Sequence, residues 1–355
     1  DTETEGFDFT CKKMIMFQIG DEHQQFVIDT RFISIEPLRE ILESKKIIKI
    51  LHNAKFDYKF IKQTSDIELE CVYDTFLTER VLNCGKDGVK YGLKDVCKKY
   101  LNVELNKEVR NQFIGLSGQP YKNDQIIYGA KDVEYLIGVR KYQLPLIQQF
   151  KLQNVVDLEN KAVLSFADIE YNGLNIDKEK WEIIAKKSEL ESIEMADELD
   201  NIILTNKMFS DFIAKTVQTD LFMPVEEIRK VNIKWSSPIQ VLKVLKKLIP
   251  KLENVNSKEM YKFRYKFTLI NTYVQYKSSD GKIHTNFNQI LDTGRVASSK
   301  PNMQQIPADN TFRNCFVAPE GYCFVSSDYS SQELNVIAFG SKDPVWIDAL
   351  QKGQD

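Results

Sequence analysis

The chain has 355 residues, enough for two or three domains that each bury a core, and its 48 basic against 51 acidic residues leave no global positive charge. A nucleic-acid partner must therefore be argued from local patches. Six cysteines without a C-x-x-C pair and three histidines make no case for structural zinc and fit a reducing, cytoplasmic compartment, and no membrane-length apolar run or cleavable signal is present.

In chain order, Met14 to Ile19 and Gln25 to Ile28 read as strands around a Gly20-Asp21 turn, followed by a helix from Glu36 to Glu43 with Pro37 early in it. Ile47 to Leu51 is an apolar run of strand length. Helices are expected over Lys55 to Lys62, Thr75 to Leu82, Leu93 to Leu101 and Lys122 to Phe150. This alternation predicts an α/β fold for residues 1–150. From Leu158 the pattern turns helical: Leu158 to Glu170, a stop at Asn172-Gly173, then a long arm or thumb from Asp177 to Leu204. Phe209 to Lys234 reads as an insertion. Helices open at Ser237 and Ser257, and Lys282 to Gln289 reads as one strand after the Asp280-Gly281 turn. Cys323 to Val325 is a short strand feeding Asp328, with a helical segment directly behind it.

Asp1 and Glu3 are two apart, so a strand points both to one face. Asp57 closes Asn53-Ala54-Lys55-Phe56-Asp57, and Asp132 lies one helical turn after Tyr128. Carboxylates converging on one site repel unless divalent cations neutralise them. Two hard cations about 3.5–4 Å apart serve phosphodiester hydrolysis, and oxygen-only ligands select Mg²⁺ or Mn²⁺. As isolated motifs each of these is weak. Their order and spacing, with Asp74-Thr75 and Tyr91-Gly92-Leu93-Lys94-Asp95, resemble the tyrosine-containing branch of the DEDD exonucleases over residues 1–150. That resemblance implies a ribonuclease H-like 3′-5′ exonuclease domain. Asp1, Glu3, Asp57 and Asp132 would be its metal ligands, Tyr128 would orient the attacking water, and Asn53 would position the 3′ end of single-stranded DNA. The strand that should precede Asp1 is missing from the sequence, so Asp1 is expected at a frayed terminus whose ammonium competes with metal.

Thr293-Gly294-Arg295, then Pro301-Asn302-Met303-Gln304-Gln305-Ile306-Pro307, then Asp328-Tyr329-Ser330-Ser331-Gln332-Glu333-Leu334 form an ordered block. It resembles the palm of the family A DNA polymerases. The resemblance implies an α+β palm with a helical thumb (about residues 181–280 for the thumb and 281–355 for the palm) within a polymerase part, residues 151–355, truncated before the fingers. Asp328 would bind the catalytic Mg²⁺ ions at an incoming dNTP, and Glu333 would exclude ribose. Arg295, Asn302 and Gln304 would touch the primer-template through the minor groove, where the acceptor pattern is nearly uniform.

Ser331, Gln332, Asn335 and Phe339 depart from the usual pattern and point to a divergent, phage-like member. A lysine-rich stretch (Lys243, Lys246, Lys247, Lys251, Lys258, Lys262, Arg264, Lys266, Lys277, Lys282) interleaved with Tyr261, Phe263, Tyr265 and Phe267 reads as a DNA-binding face, or as a solvated helix face with inward aromatics. The fingers R-x-x-x-K-x-x-x-Y-G pattern and the H-D-E are not in these residues, both ends look cut, and no synthesis is expected from the piece alone. A primer-extension product from the purified chain would overturn that expectation. The competing readings are a ribonuclease D-like RNA exonuclease and a non-catalytic DNA-binding fragment.

Overall fold

The computed structural model describes residues 1–106, 108–116, 118–217, 227–235, 237–248, 278–306 and 310–353. The chain divides into two compact units, Asp1–Phe316 and Val317–Asp355.

In the first unit, β1 (Thr2–Thr4), β2 (Met14–Gly20) and β3 (Gln25–Asp29) form an antiparallel sheet, with Thr2 opposite Phe17 and Glu3 opposite Met16. β2 is apolar and buried through Phe17, as a central strand must be. A single helical turn, α1 (Arg39–Leu42), follows a 3₁₀ turn that Pro37 opens. β4 (Lys49–Leu51) and β5 (Val72–Asp74) pair in parallel, joined by α2 (Ala54–Ser65) as the crossover that parallel strands require. α3 (Thr75–Leu82) and α4 (Leu93–Leu101) have the bounds that the apolar spacing predicts. This is the expected α/β layering.

The single helix expected over Lys122 to Phe150 is two, α5 (Asn123–Glu134) and α6 (Leu136–Gln149), broken at Tyr135. The physical reason is that the halves bury different faces. Tyr128 of α5 packs with Ile15 and Met16 of β2, whereas Leu136 and Val139 of α6 pack with Leu93, Val96 and Cys97 of α4. α7 (Gln153–Asn172) then contributes Val156, Val163 and Ala167 to the main core, beside Phe17, Leu51, Tyr58, Ile61 and Leu77.

β6 (Leu174–Ile176) leads into α8 (Lys178–Thr205), the expected long arm, which buries Trp181 near one end and Ile203 near the other. Asp177 caps α8, its carboxylate accepting from Lys180 N at 3.1 Å. Asp177→Ala is expected to lower stability by about 1 kcal/mol in urea unfolding, because that amide loses its acceptor. The segment read as an insertion holds an antiparallel pair, β7 (Ile213–Val217) and β8 (Glu227–Val231), followed by α9 (Pro238–Leu248). The helix expected from Ser257 to Tyr276 lies outside the described residues.

The strand expected from Lys282 to Gln289 is two, β9 (Lys282–Ile283), paired with β6, and β10 (Asn286–Asn288), paired with β11 (Ala297–Ser299). The break falls at His284, whose Nδ1 meets Glu170 O at 2.7 Å and whose Nε2 meets Asp280 at 2.9 Å. The two halves pair with different strands, so no single ladder runs through the segment.

The unit Val317–Asp355 holds α10 (Gln332–Ser341) and α11 (Pro344–Gln351). Cys323 to Val325 is not the expected strand. It pairs with no described strand, and Phe324 and Val325 are exposed, so neither a ladder nor an apolar layer holds the extended form. No described helix is long and apolar enough to cross a membrane.

Candidate metal centre

β1 places Asp1 and Glu3 on one face, as their spacing requires. Asp1 is not frayed: its nitrogen donates to Gln18 O at 3.1 Å, and Gln18 N donates to Asp1 O at 3.0 Å. These ladder bonds fix the residue against β2. Burial pulls the pKa of the Asp1 ammonium down, against the opposing charges of Asp57, Asp132 and Glu3.

Asp132 arrives from α5, which lies so close to β2 that a Cβ on Gly129 would sit 2.8 Å from Met16 Sδ and 3.0 Å from Gln18 Nε2. Carboxylate oxygens of Asp1, Glu3 and Asp132 all come within 4.8 Å of one another, and Glu3 and Asp132 are buried. Tyr128, one turn before Asp132, is hydrogen-bonded to it. Burial first, then the charges of Asp132 and Glu3, push the Tyr128 phenol well above its usual range, so it stays a donor at neutral pH.

Asp57 stands apart from that group of three yet lines the same cleft. Its Oδ1 accepts from the Thr2 hydroxyl at 2.7 Å. Burial pushes its pKa up, while the Asp1 ammonium and Thr2 pull it down. The helix carrying it is positioned by Asp74, a 2 % exposed carboxylate that accepts from four backbone N–H groups. Asn53 N (3.0 Å) and Ala54 N (2.8 Å) come from the start of α2, and Phe76 N (2.9 Å) and Leu77 N (3.2 Å) from the start of α3. One side chain thus caps two helices. Asn53 itself has φ 71°, a left-handed turn that asparagine tolerates, and it faces the cleft.

The cleft encloses about 380 Å³ and brings all the predicted exonuclease residues together: Asp1, Glu3, Asn53, Asp57, Tyr128 and Asp132. It also contains His52, Phe76 and Arg110, which the sequence reading passed over. Phe76 could have been found from its place directly after Asp74-Thr75. Arg110, in the turn Glu108–Phe113, carries no motif. Oxygen-only donors at this spacing, two of them buried, fit a hard divalent cation, since burial without one leaves like charges opposed.

Arg295, Asn302 and Gln304 do not line this cleft. Arg295 is exposed in the turn before β11, where Leu291 N donates to Arg295 O at 3.0 Å. Asn302 and Gln304 shape that loop. Asn302 Oδ1 accepts from Gln304 N at 3.1 Å, and Gln304 holds the backbone of β11 through Ser298 N (2.8 Å) and that of the residue just before it through Val296 O (3.1 Å). Within the second unit, Asp328 is exposed in a segment without regular secondary structure and Glu333 lies in the first turn of α10. Of the lysine-rich stretch, Lys247 pairs with Asp211 and Lys282 donates to Asn172 O at 2.9 Å. Lys251, Lys258, Lys262, Arg264, Lys266 and Lys277, with the four interleaved aromatics, lie outside the described residues.

Residues 1–148 match the 3′-5′ exonuclease family, and residues 179–355 match DNA polymerase family A. A DNA polymerase I of Aquifex aeolicus is 26% identical over 375 residues, covering 100% of the chain and 62% of the relative. That of Streptococcus pneumoniae strain TIGR4 is 31% identical over 293 residues, covering 72% of the chain and 32% of the relative. The chain therefore spans less than two thirds of these curated relatives. A solved structure described as the POL domain of Pol1 from M. smegmatis in complex with DNA primer-template and dNTP shares the fold, with a TM-score of 0.66 at 21% identity over 100% of the chain and 61% of that protein.

Proposed function

We propose, for a chain that belongs to DNA polymerase family A and carries its 3′-5′ exonuclease module, that the cleft at β1 and α5 is a proofreading site that shortens single-stranded DNA from the 3′ end. The observation that carries this reading is the group of three carboxylates within 4.8 Å, with Asp57 in the same cleft and a protonated Tyr128 on Asp132. Residues 1–150 would form this exonuclease domain. Residues 151–355 would belong to a DNA polymerase that binds primer-template and dNTPs, with a thumb at about 181–280 and palm residues at 281–355. The whole would act in the cytoplasm of a bacterial or phage-infected cell.

Asp1, Glu3, Asp57 and Asp132 would hold two Mg²⁺ or Mn²⁺ ions. Bound divalent cations supply water activation and stabilisation of the leaving 3′ oxygen. The chain's own residues do the rest. Asp132 accepts the one hydroxyl hydrogen of Tyr128 and so fixes the ring, leaving the phenol oxygen to accept from a water and orient it without titrating near neutral pH. Thr2 holds Asp57 in one rotamer. Asn53, which has a left-handed backbone turn and lines the cleft, would bind the terminal sugar or phosphate. On the polymerase side, Asp328 would bind Mg²⁺ with the dNTP, Glu333 would crowd the ribose 2′ position, and Arg295, Asn302 and Gln304 would face the minor groove.

The test is 3′-end shortening of labelled single-stranded DNA by the purified chain in Mg²⁺, in Mn²⁺ and in EDTA, beside an RNA of the same sequence. Metal-dependent shortening of DNA supports the reading, and a preference for RNA ends would replace it with an RNA exonuclease. Tyr128→Phe is expected to lower kcat by ~10²-fold with KM little changed, as loss of water orientation requires. An unchanged kcat would leave Tyr128 a packing residue.

A further inference from the structure

Beside this cleft lies a second cavity of about 220 Å³, and the two share Asn53 and Phe76 in their walls. α3 forms one side of it and the segment Asn286–Gln289 contributes to the other. Arg80 lines it from α3. The guanidinium carbon lies 5.9 Å from the ring centre of Phe76 and 5.6 Å from that of Tyr91, and Nη2 donates to Ile290 O. Nε of Arg80 is buried without a hydrogen-bond partner, and no carboxylate pairs with this guanidinium among the described residues. Gln289, 3 % exposed, lines the same cavity; its Nε2 donates to the Glu159 carboxylate at 2.9 Å, while its Oε1 is buried and unpartnered.

The charges around the cavity leave Arg80 over. Lys55, the other cation in its wall, is paired with Glu170. Asp74, the carboxylate in its wall, is taken up by four backbone N–H groups. A half-buried guanidinium without a counter-charge is costly, and its planar fork matches a phosphate. A cation-lined cavity opening beside a carboxylate-lined one separates two tasks: anion binding in one, cation binding in the other.

We propose that this cavity is a phosphodiester subsite. It holds a backbone phosphate of single-stranded DNA upstream of the scissile one, with Arg80 as a positioning residue and Phe76 as the shared wall along which the strand passes. The proposal rests on the exonuclease reading of the neighbouring cleft.

The experiment compares wild type, Arg80→Gln, Arg80→Lys and Asn288→Asp. It measures binding of labelled oligothymidylates, from a dinucleotide to an octanucleotide, by anisotropy in Ca²⁺, and shortening of the same oligomers in Mg²⁺. Arg80→Gln is expected to weaken octanucleotide binding about tenfold, to reduce the salt slope by ~0.7, and to leave the dinucleotide unaffected. Arg80→Lys should recover part of the loss. Asn288→Asp, nearly isosteric and placing a carboxylate in the same wall, should weaken the octanucleotide in the same direction, and it carries the test if Arg80→Gln fails to fold. Unchanged octanucleotide binding in both charge-altering variants, or equal losses on dinucleotide and octanucleotide, would overturn the proposal. Length-dependent losses in the variants, with a wild type that binds but never shortens DNA, would uphold the subsite and sink the exonuclease reading alone.

Discussion

Glu3→Gln is expected to remove 3′-end shortening by at least ~10³-fold while making the metal-free protein more stable. The two signs have one cause. Glu3 is buried, and its carboxylate lies within 4.8 Å of those of Asp1 and Asp132. At that separation and an effective dielectric of about 20, each pair of carboxylates repels by ~3 kcal/mol, less what neighbouring cations offset. An amide of the same shape relieves part of this, so unfolding in EDTA should occur at a higher temperature, by ~1–2 kcal/mol of added stability. With Mg²⁺ the order should reverse. Wild type should gain stability by mass action if ions bind only the folded site, whereas the variant would lack one ligand and gain less. A rate loss of that size corresponds to about 4 kcal/mol of transition-state stabilisation, within reach of one lost cation ligand. A Glu3→Gln protein that still shortens DNA, or one that melts lower in EDTA, would remove the basis for a cation site here.

Glu170→Ala is expected to destabilise the fold by about 3–5 kcal/mol, the scale for breaking a buried ion pair from one side. Glu170 is 1 % exposed. Its carboxylate accepts from Lys55, from Lys59 at 2.6 Å and from Phe287 N at 2.7 Å. Truncation strands two partly buried ammonium groups and an amide. Burial already pulls the Lys55 pKa down, with Glu170 pushing it back, so without Glu170 this lysine should shed its proton more readily. Urea unfolding should show a lower midpoint for Glu170→Ala. Glu170→Met combined with Lys55→Met and Lys59→Met should recover much of the loss, since apolar replacements carry no stranded charge. A loss under ~1 kcal/mol for the single variant would mean that water takes the place of the carboxylate.

Much of the cleft was legible because its residues obey short periodicities. The two-residue spacing of Asp1 and Glu3 and the one-turn spacing of Tyr128 and Asp132 each fix a shared face whatever the tertiary context. α3 and α4 were legible for a similar reason, with sharp boundaries and apolar positions at helical spacing. What failed to show in the sequence depends on partners distant along the chain. Tyr135 breaks a continuous helical pattern because α5 and α6 seek different cores. Thr2, between two motif acids, gives no sign that it will hold Asp57, 55 residues away. Arg80 lies on a helix face that reads as ordinary until Ile290 and Gln289 close over it. Cys323 to Val325 shows the reverse error, since an apolar run alone does not make a strand without a neighbour to pair with.

The helix α7 carries a practical consequence for dissecting the chain. It supplies Val156, Val163 and Ala167 to the same core as Leu51, Tyr58 and Leu77, its Asn160 accepts from Asp74 N, and Ile290 from far downstream joins that core. A fragment excised at residue 150 would present a bare apolar face where α7 had been and would be expected to aggregate when expressed. A soluble minimal fragment would have to retain the helix through Asn172 and carry a polar substitute for the surface that Ile290 covers. A protease-resistant core should accordingly extend past residue 150, so limited digestion gives a length to be read directly on a gel.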